Sequence, residues 1–345
     1  MATARRLFIA NTTPIFIGVF LCLFCTNCKE SRKSTEQWDG DSNPESQLNH
    51  HVAQQPLSEN TTAAAPVATK ENQTPVRFLA YNLKNYLTMR RYSAGKTVYT
   101  KKPEAEIAAL IEIIGSAKPD ILGVCEIGKQ ADLVNLQKRL TSIGVNLPYL
   151  HRVHGSDRTR ALGLLSRFPI VKTSTPKEIN YTIESIPFSI SRGILDATVE
   201  LPHRNLRLLG IHFKSKRPIK DADQALMRRN ESLLMRKHIK DIMQSSPDTY
   251  LLAYGDFNDT KKSKSVSSLR GRSNSSSYMH IVELLDQRGE SWTHHWKHED
   301  IYSRIDFVMA NPKLKPFINS KESKLIDPKN WEIASDHRAM LVVID

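Results

Sequence analysis

The stretch LLAYGDFNDT, residues 251–260, places two aspartates and an asparagine directly after a run of apolar residues. The apolar run predicts a buried strand, and Gly255, Asp256, Asn258 and Asp259 predict a tight turn at its end, because these residue types tolerate unusual backbone angles. A turn alone accounts for this composition. A reaction centre also accounts for it, if other strands deliver polar side chains to the same place.

Similar apolar runs recur along residues 76–345 and predict an α/β protein with more strands than helices. Strands are predicted at 76–83, 119–128, 161–171, 194–201, 206–213, 249–257, 304–310 and 339–344, and helices at 103–118, 130–143 and 222–244. Several strands are apolar on both faces, which indicates sheets covered by other layers. The Ser-rich, basic segment 261–278 predicts a mobile loop.

Residues 1–28 predict an export segment. Arg5 and Arg6 precede an apolar run, residues 14–24, that is too short for an ordinary membrane-spanning helix. The surrounding residues loosely resemble a twin-arginine signal, and Cys28 is a candidate for the lipidated cysteine of a bacterial lipoprotein. The residues before Cys28 depart from the usual lipoprotein pattern, so a short signal anchor is the alternative. The expected location is therefore outside the inner membrane: periplasmic, lipid-anchored or secreted.

Residues 29–75 are rich in Ser, Asn, Gln and Thr and predict a disordered linker that leads to a folded domain at 76–345. The 345 residues carry a formal net charge of +13, and residues 1–75 contain six Lys/Arg and seven Asp/Glu, so the excess lies entirely in the domain. A basic domain indicates nucleic acid or an anionic membrane as partner, although a basic solvated surface is the plainer interpretation. Cys125 is the only cysteine of the domain, which excludes a disulfide within it.

Polar side chains stand at the ends of many predicted strands. They are Asn82, Glu126, His212, Asp256 with Asn258, Asp306, and Asp336 with His337. Singly, each has an ordinary explanation: a turn, a cap, a structural histidine or, for Asp306, a salt bridge with Arg304. Gathered at one rim, they suit metal-assisted hydrolysis of phosphate esters, since Mg²⁺ prefers oxygen ligands and neutralises charge on phosphoryl oxygens.

The motifs YNL, PDILGVCEI, GIHFKSK, GDFND, SRIDFVM and SDH, in this order, resemble those of the endonuclease/exonuclease/phosphatase superfamily. The resemblance covers about residues 76–345. It implies a four-layered α/β sandwich with two central, mainly antiparallel β-sheets flanked by helices. It also implies metal-dependent hydrolysis of phosphoesters.

The resemblance further implies a role for each matching residue. Glu126 is the main ligand of Mg²⁺, with Mn²⁺ as an alternative ion, and Asn82 and Asp336 contribute directly or through water. Asp256 orients or deprotonates the attacking water, and Asn258 holds a phosphate oxygen.

The remaining residues implied by the resemblance serve proton transfer and phosphate binding. His337, oriented by Asp306, binds the phosphate or acts as base, and His212 stabilises the transition state or protonates the leaving oxygen. Arg160 and Lys214 are candidates for substrate contacts. The deoxyribonuclease branch supports its first catalytic histidine with a glutamate, and the sequence shows no clear equivalent.

The expected substrate is DNA or RNA, because phosphates dominate the affinity of basic proteins for nucleic acid. Export favours degradation of extracellular nucleic acid over genome repair. A sphingomyelinase-type phospholipid phosphodiesterase is the alternative and needs an exposed apolar or aromatic hairpin that docks on a membrane, for which Trp292 and Trp296 are candidates. A small-molecule phosphatase is a third possibility. A catalytically inactive binding module is disfavoured, because every motif position retains a chemically competent residue. No protein partner is predicted.

Overall fold

The structure, a computed structural model, describes residues 74–93 and 95–345. The predicted export segment and the predicted linker up to residue 73 lie outside the described residues. The strands are β1 (Val76–Tyr86), β2 (Met89–Ser93), β3 (Lys96–Thr100), β4 (Ile121–Ile127), β5 (Tyr149–Val153), β6 (Ala161–Ser166), β7 (Ile170–Ser174), β8 (Asn180–Ile183), β9 (Ile186–Ser189), β10 (Leu195–Leu201), β11 (Arg204–His212), β12 (Tyr250–Asp256), β13 (His280–Ile281), β14 (His294–Trp296), β15 (Ile301–Ser303), β16 (Asp306–Ala310), β17 (Lys324–Leu325) and β18 (Met340–Ile344). The helices are α1 (Glu104–Ala117), α2 (Gln130–Ser142), α3 (Gln224–Ser245), α4 (Lys264–Arg270) and α5 (Trp331–Ala334), with a 3₁₀ turn at Lys315–Phe317. Within this part of the chain no helix is long and apolar enough to cross a membrane.

Two six-stranded sheets form the centre of the domain. The first has the strand order β17-β18-β1-β4-β6-β5, and the second has the order β13-β16-β12-β11-β10-β7. Each has a parallel pair at its middle, β1 with β4 and β11 with β12, while the other neighbours run antiparallel. This arrangement confirms the prediction of two mainly antiparallel sheets.

The sheets lie between two helical layers, so the strands are apolar on both faces. In β1, Phe78 and Ala80 join the core between the two sheets, while Leu79 and Tyr81 join a second core with side chains of α1 and α2. A third core packs the outer face of the second sheet against α3 and α4. The four layers confirm the predicted sandwich, and they explain why strict apolar–polar alternation is missing from these strands.

The opening stretch forms β12 at the middle of the second sheet. Gly255 has a φ of 135°, and a Cβ atom there would lie 2.0 Å from the carbonyl oxygen of Ile211 on β11. Only glycine permits this approach. It lets the parallel pairing of β11 and β12 continue to the last residues, where His212 is in register with Asp256.

The segment 261–278 departs from the expected mobile loop, because it contains α4. Ser263 caps this helix by accepting a hydrogen bond from the backbone N–H of Val266, and Val266 and Leu269 are buried against α3. The Ser232 hydroxyl on α3 donates to the carbonyl of Ser265. Two buried apolar residues in seven are too few to show a helical period, so the prediction of a loop was wrong over residues 264–270.

Candidate active site

Three neighbouring strands of the second sheet bring His212, Asp256 and Asp306 into one row. His212 pairs in register with Asp256 on β12, and Asp256 pairs in register with Asp306 on β16. All three side chains are buried. Since adjacent strands lie about 5 Å apart, the row places three titratable groups within direct electrostatic reach of one another.

The first sheet contributes Asn82 near the end of β1 and Glu126 near the end of β4. Glu126 lies at a bulge where the pairing of β4 with both neighbours shifts register, and its φ is 62°. This left-handed conformation is unfavourable for a residue with a Cβ, and bulges commonly re-aim a side chain next to an active site. The carboxylate accepts a hydrogen bond from the backbone N–H of Asn85 at 2.9 Å.

Hydrogen bonds of Asn82 join the two sheets at the site. Its Nδ2 donates to Asp256 Oδ2 at 3.1 Å and lies 3.3 Å from His337 Nε2. Its backbone carbonyl accepts from the hydroxyl of Ser335 at 2.8 Å, and that hydroxyl accepts from the backbone N–H of His337. Asn82 and the SDH motif are therefore fixed to each other although more than 250 residues separate them in sequence.

His337 lies in contact with Asp306, the residue that the resemblance pairs with it. His337 Nδ1 lies 2.9 Å from Asp306 Oδ2, and the same oxygen accepts from the hydroxyl of Thr293 at 2.7 Å. Burial lowers the pKa of His337, but Asp306, Asp256 and Asp336 outweigh it and raise this pKa well above the usual histidine value. The alternative salt bridge of Asp306 with Arg304 does not form, because Arg304 pairs with Glu283 at 2.6 Å.

His212 has the opposite electrostatic character. Its Nε2 lies 3.5 Å from Asp256 Oδ2 and 3.9 Å from Glu126 Oε1, while its Nδ1 has no hydrogen-bond partner among the described residues. Burial, followed by the positive charge of Arg192, lowers the pKa of His212 well below its usual value. The site therefore holds one neutral histidine and one histidine that favours the charged form. No carboxylate of the described chain supports His212 Nδ1, in agreement with the missing glutamate.

Asp256 is buried between these two histidines. Burial and the neighbouring Asp306 carboxylate raise the pKa of Asp256 to about 7. Its Oδ1 accepts from the backbone N–H of Asn258 at 2.7 Å, and Asn258 Nδ2 donates to the carbonyl of Phe213 at 3.0 Å. The turn after β12 thus fixes Asp256 and Asn258 together. Asp259 points elsewhere: it pairs with Arg228 on α3 at 3.1 Å.

Comparison with known proteins agrees with this geometry. The model of the Endonuclease/Exonuclease/phosphatase family matches residues 81–337, a span that begins beside Asn82 and ends at His337. The chain belongs to the endonuclease/exonuclease/phosphatase family. Members of this family are metal-dependent hydrolases that act on phosphoester bonds.

Solved structures with this fold share little sequence with the chain. A family protein from Leptotrichia buccalis is 17% identical, with a TM-score of 0.55 over 78% of this chain and 99% of that one. The human Nocturnin catalytic domain with bound sulfate is 17% identical, with a TM-score of 0.54 over 79% and 94%. Sphingomyelinase C from Streptomyces griseocarneus is 14% identical, with a TM-score of 0.51 over 79% and 100%. No curated protein sequence matches the chain.

The predicted metal ligands fit a hard divalent cation of the kind this family uses. Glu126 Oε1 accepts no hydrogen bond from the described residues, and the Arg160 guanidinium and the His212 ring both stay 3.9 Å from the carboxylate. Burial alone raises the pKa of Asp336, but His337 and Lys84 outweigh it and keep this carboxylate ionised. The Glu126 and Asp336 carboxylates, beside the Asn82 amide, match the oxygen ligands that Mg²⁺ prefers.

A second set of potential ligand atoms lies deeper in the site. Atoms of Asp256, Asp306 and His337 lie within 4.8 Å of one another. Asp306 and His337 are already hydrogen-bonded to each other. Because a ligand histidine needs a free ring nitrogen lone pair and His337 favours the charged form, this set suits proton transfer and phosphate binding better than metal binding.

The two residues predicted to contact substrate, Arg160 and Lys214, lie in different surroundings. Arg160 lies beside Glu126, with its Nε 3.9 Å from Oε2, so it borders the site as expected. Lys214 donates from its Nζ to the carbonyls of Ser215 and Arg217 at 3.0 and 2.9 Å, and lies 3.4 Å from the Ser215 hydroxyl. All three N–H groups of the ammonium are thus used within its own loop. This geometry does not support a substrate contact for Lys214.

The structure adds three residues that the sequence motifs do not single out. Thr293 accepts hydrogen bonds from the backbone N–H groups of Ile305 and Asp306, besides donating to the Asp306 carboxylate. The ring of His294 lies 4.7 Å from that of His337. Arg192 is buried, pairs with Asp157 at 3.6 Å and is the strongest charged neighbour of His212. These residues lie in loops or very short strands, where no periodic pattern marks them.

Proposed function

We propose that this protein is an exported, Mg²⁺-dependent phosphodiesterase that hydrolyses DNA or RNA. The observation that carries the proposal is the joint arrangement of Asp256, His212 and the Asp306–His337 pair at the meeting point of the two sheets, in a domain with a large positive charge. The family supplies the phosphoester chemistry, and the charge argues for a polyanionic ester.

Asp256 is the group best placed to accept a proton from the attacking water. A carboxylate with a pKa near 7 is a better base at neutral pH than an ordinary aspartate. Asn82 and Asn258 each donate to a different oxygen of Asp256, through Nδ2 to Oδ2 at 3.1 Å and a backbone N–H to Oδ1 at 2.7 Å. This fixes the direction in which the free lone pairs point.

His337 and His212 stabilise the negative charge on the phosphoryl group in this proposal. His337, held by Asp306, presents Nε2 as a charged donor, and the neutral His212 adds an N–H without repelling it. A cation held by Glu126, Asp336 and the Asn82 amide would supply Lewis-acid stabilisation of the same phosphoryl oxygens.

One observation favours phospholipid as a second candidate substrate. The hairpin β14–β15 exposes half of Trp296, together with Ile301 and Tyr302, and its first residue, His294, bridges to His337. An exposed apolar patch rimmed by polar residues is typical of membrane contact. Trp292, the other predicted candidate, instead packs against Trp331 and Arg338.

The test uses purified protein with Mg²⁺ and, in parallel, supercoiled plasmid, single-stranded DNA, RNA, sphingomyelin vesicles and p-nitrophenyl phosphate. We expect cleavage of nucleic acid, and we expect a Glu126→Gln variant to lose at least about 100-fold in kcat, since the metal ion contributes several kcal/mol of charge stabilisation. Cleavage of the vesicles alone would establish the second candidate. Hydrolysis of p-nitrophenyl phosphate alone would indicate a small-molecule phosphatase, and no turnover would indicate a binding module.

Export and lipid attachment form a separate part of the proposal. Cys28 is proposed as the lipidated residue, which would hold the domain at a membrane through the linker. Labelled palmitate should be incorporated into the full chain and not into a Cys28→Ser variant. Labelling of both would reject Cys28 as the attachment point.

A further inference from the structure

The hairpin β2–β3 lies in a strongly basic segment of the domain. Residues 84–102, which contain it, have six Lys/Arg and no Asp/Glu. Within the described part of the chain only one of the six, Lys102, forms an ion pair, with Glu106. Five cations are therefore left uncompensated within one short segment, which favours contact with an anion.

One face of the hairpin presents aromatic rings to solvent. Arg90 is paired with Tyr99, and Tyr92 with Thr97, so these four side chains share the same face. The exposed fractions of Tyr92 and Tyr99 are 78% and 72%, the two largest among the large apolar and aromatic side chains described. Neither ring contacts another aromatic ring of the described chain. Exposed tyrosines among arginines are the combination on which unpaired bases stack.

The base of the hairpin is tied to the candidate active site. Arg91 Nη2 donates to the carbonyls of Asn85 and Leu87 at 2.8 and 3.3 Å. The backbone N–H of Asn85 in turn donates to the carboxylate of Glu126. Two hydrogen bonds in sequence, through Asn85, thus connect Arg91 of the hairpin to the predicted metal ligand.

A groove of about 960 Å³ runs beside the hairpin. Its lining includes both exposed tyrosines and cationic side chains of several elements, among them Arg91, Lys101, Lys129 and Arg158. The two carboxylates in the lining are occupied: Glu104 pairs with Arg139, and Asp132 accepts from the backbone N–H of Lys129. The groove lining therefore holds six cationic side chains against two carboxylates, of which Glu104 is ion-paired.

We propose that the β2–β3 hairpin and this groove bind a single-stranded segment of nucleic acid, with bases stacked on Tyr92 and Tyr99 and phosphates along the cationic lining. This inference rests on the proposed nuclease function and gives its substrate class: strands with unpaired bases. A duplex hides its base faces and offers only phosphates to such a surface. A membrane is a poorer match, because this face has no aliphatic or tryptophan side chain, in contrast to the hairpin β14–β15.

The test measures binding by fluorescence anisotropy of the full chain in EDTA, which prevents turnover. The probes are labelled oligothymidylate of 20 nucleotides and a blunt duplex of 20 base pairs. For the double variant Tyr92→Ala/Tyr99→Ala we expect a loss of about tenfold or more in affinity for the single strand and less than about threefold for the duplex. Tyr149→Ala is the matched control, since this exposed tyrosine does not line the groove. Thermal unfolding of each variant shows that it is folded.

Other outcomes are equally informative. An unchanged affinity, or an equal loss for both probes, would overturn base stacking on the hairpin. If the double variant loses binding to vesicles of phosphatidylglycerol and phosphatidylcholine but still binds the oligonucleotide, the ligand of the hairpin is a membrane and not nucleic acid. The wild-type protein could also bind the single strand through the tyrosines and yet cleave no nucleic acid with Mg²⁺. That result would reject the nuclease function and still support the proposed binding site.

Discussion

At the scale of single residues, Glu126 has a strained backbone conformation at the candidate active site. Its left-handed φ of 62° occurs at the bulge in β4, and its carboxylate is held by Asn85. Such a conformation costs about 1–2 kcal/mol for a residue with a Cβ atom. Strain of this size persists only where the surrounding structure enforces it, which is typical of functional positions.

The strain at Glu126 predicts that glycine is less destabilising than alanine there, the opposite of the order expected in an ordinary strand. Glu126→Gly and Glu126→Ala remove the same carboxylate, but only glycine adopts the left-handed conformation without cost. We expect the glycine variant to be the more stable by about 1 kcal/mol in urea unfolding, against the usual penalty for glycine in a strand. Glu200 on β10, which has ordinary strand pairing, is the control, and there the alanine variant should be the more stable. The same order at both positions would contradict the proposed strain.

The pair of Asp306 and His337 predicts a loss of rate with little change in binding. Asp306→Asn keeps the size of the side chain but removes the negative charge that orients His337 and stabilises its protonated form. We therefore expect kcat to fall by about 10²–10⁴-fold, with KM nearly unchanged. Asp300→Asn is the matched control, because Asp300 pairs with His295 outside the site at 2.9 Å and should leave kcat as it is. Steady-state kinetics on the cleaved substrate measure both. An Asp306→Asn variant with wild-type kcat would remove His337 from the proposed mechanism.

At the scale of elements, a buried ion pair holds the loops around the start of β18. Arg338, the residue after His337, is fully buried and donates from Nη2 to Asp286 Oδ2 at 2.8 Å. The same group lies 3.3 Å from Asp327, and the guanidinium lies 4.0 Å from the centre of the Trp292 ring. The loops that carry Thr293 and the SDH motif are thereby fixed to one side chain.

This ion pair predicts a stability loss that depends on pH. Burial raises the pKa of Asp286, but hydrogen bonds from Glu290 N–H and Arg338 outweigh it and lower this pKa to about 2. A lowered pKa contributes stability above the ordinary value of about 4 that disappears as the pH falls through 2. Asp286→Asn should therefore cost about 2–5 kcal/mol at pH 7 and clearly less near pH 2.5 in urea unfolding. Asp248→Asn, which removes the exposed partner of Lys313, is the control and should change little at either pH. An equal cost of Asp286→Asn at both pH values would contradict the linkage.

At the scale of the whole molecule, the fold does not fix the substrate. Structures as different as the Nocturnin domain and Sphingomyelinase C share it with this chain at 17% and 14% identity. The two sheets and the helices around them hold one reaction centre, and substrate choice lies on the surfaces beside that centre. In this chain the proposed substrate surfaces are two hairpins of different chemistry, the basic hairpin at 89–100 with its exposed tyrosines and the hairpin at 294–303, which exposes Trp296, Ile301 and Tyr302. The binding and cleavage assays described above decide which of them meets the substrate.

The sequence by itself determined the two-sided apolar strands, the positions of the long helices and the order of the motifs, because these depend on local periodicity and on residue types at strand ends. It also determined the turn of LLAYGDFNDT, whose Gly255 permits the close pairing of β11 and β12. The tertiary structure decided what no local pattern encodes. Asn82 meets Asp256 only because the two sheets pack face to face. It meets His337 because β1 and β18 are neighbours in the first sheet, and Asp259 pairs with Arg228 on α3 rather than joining the site. Such contacts join residues far apart in the chain, and their partners are fixed by packing, which is a property of the whole fold.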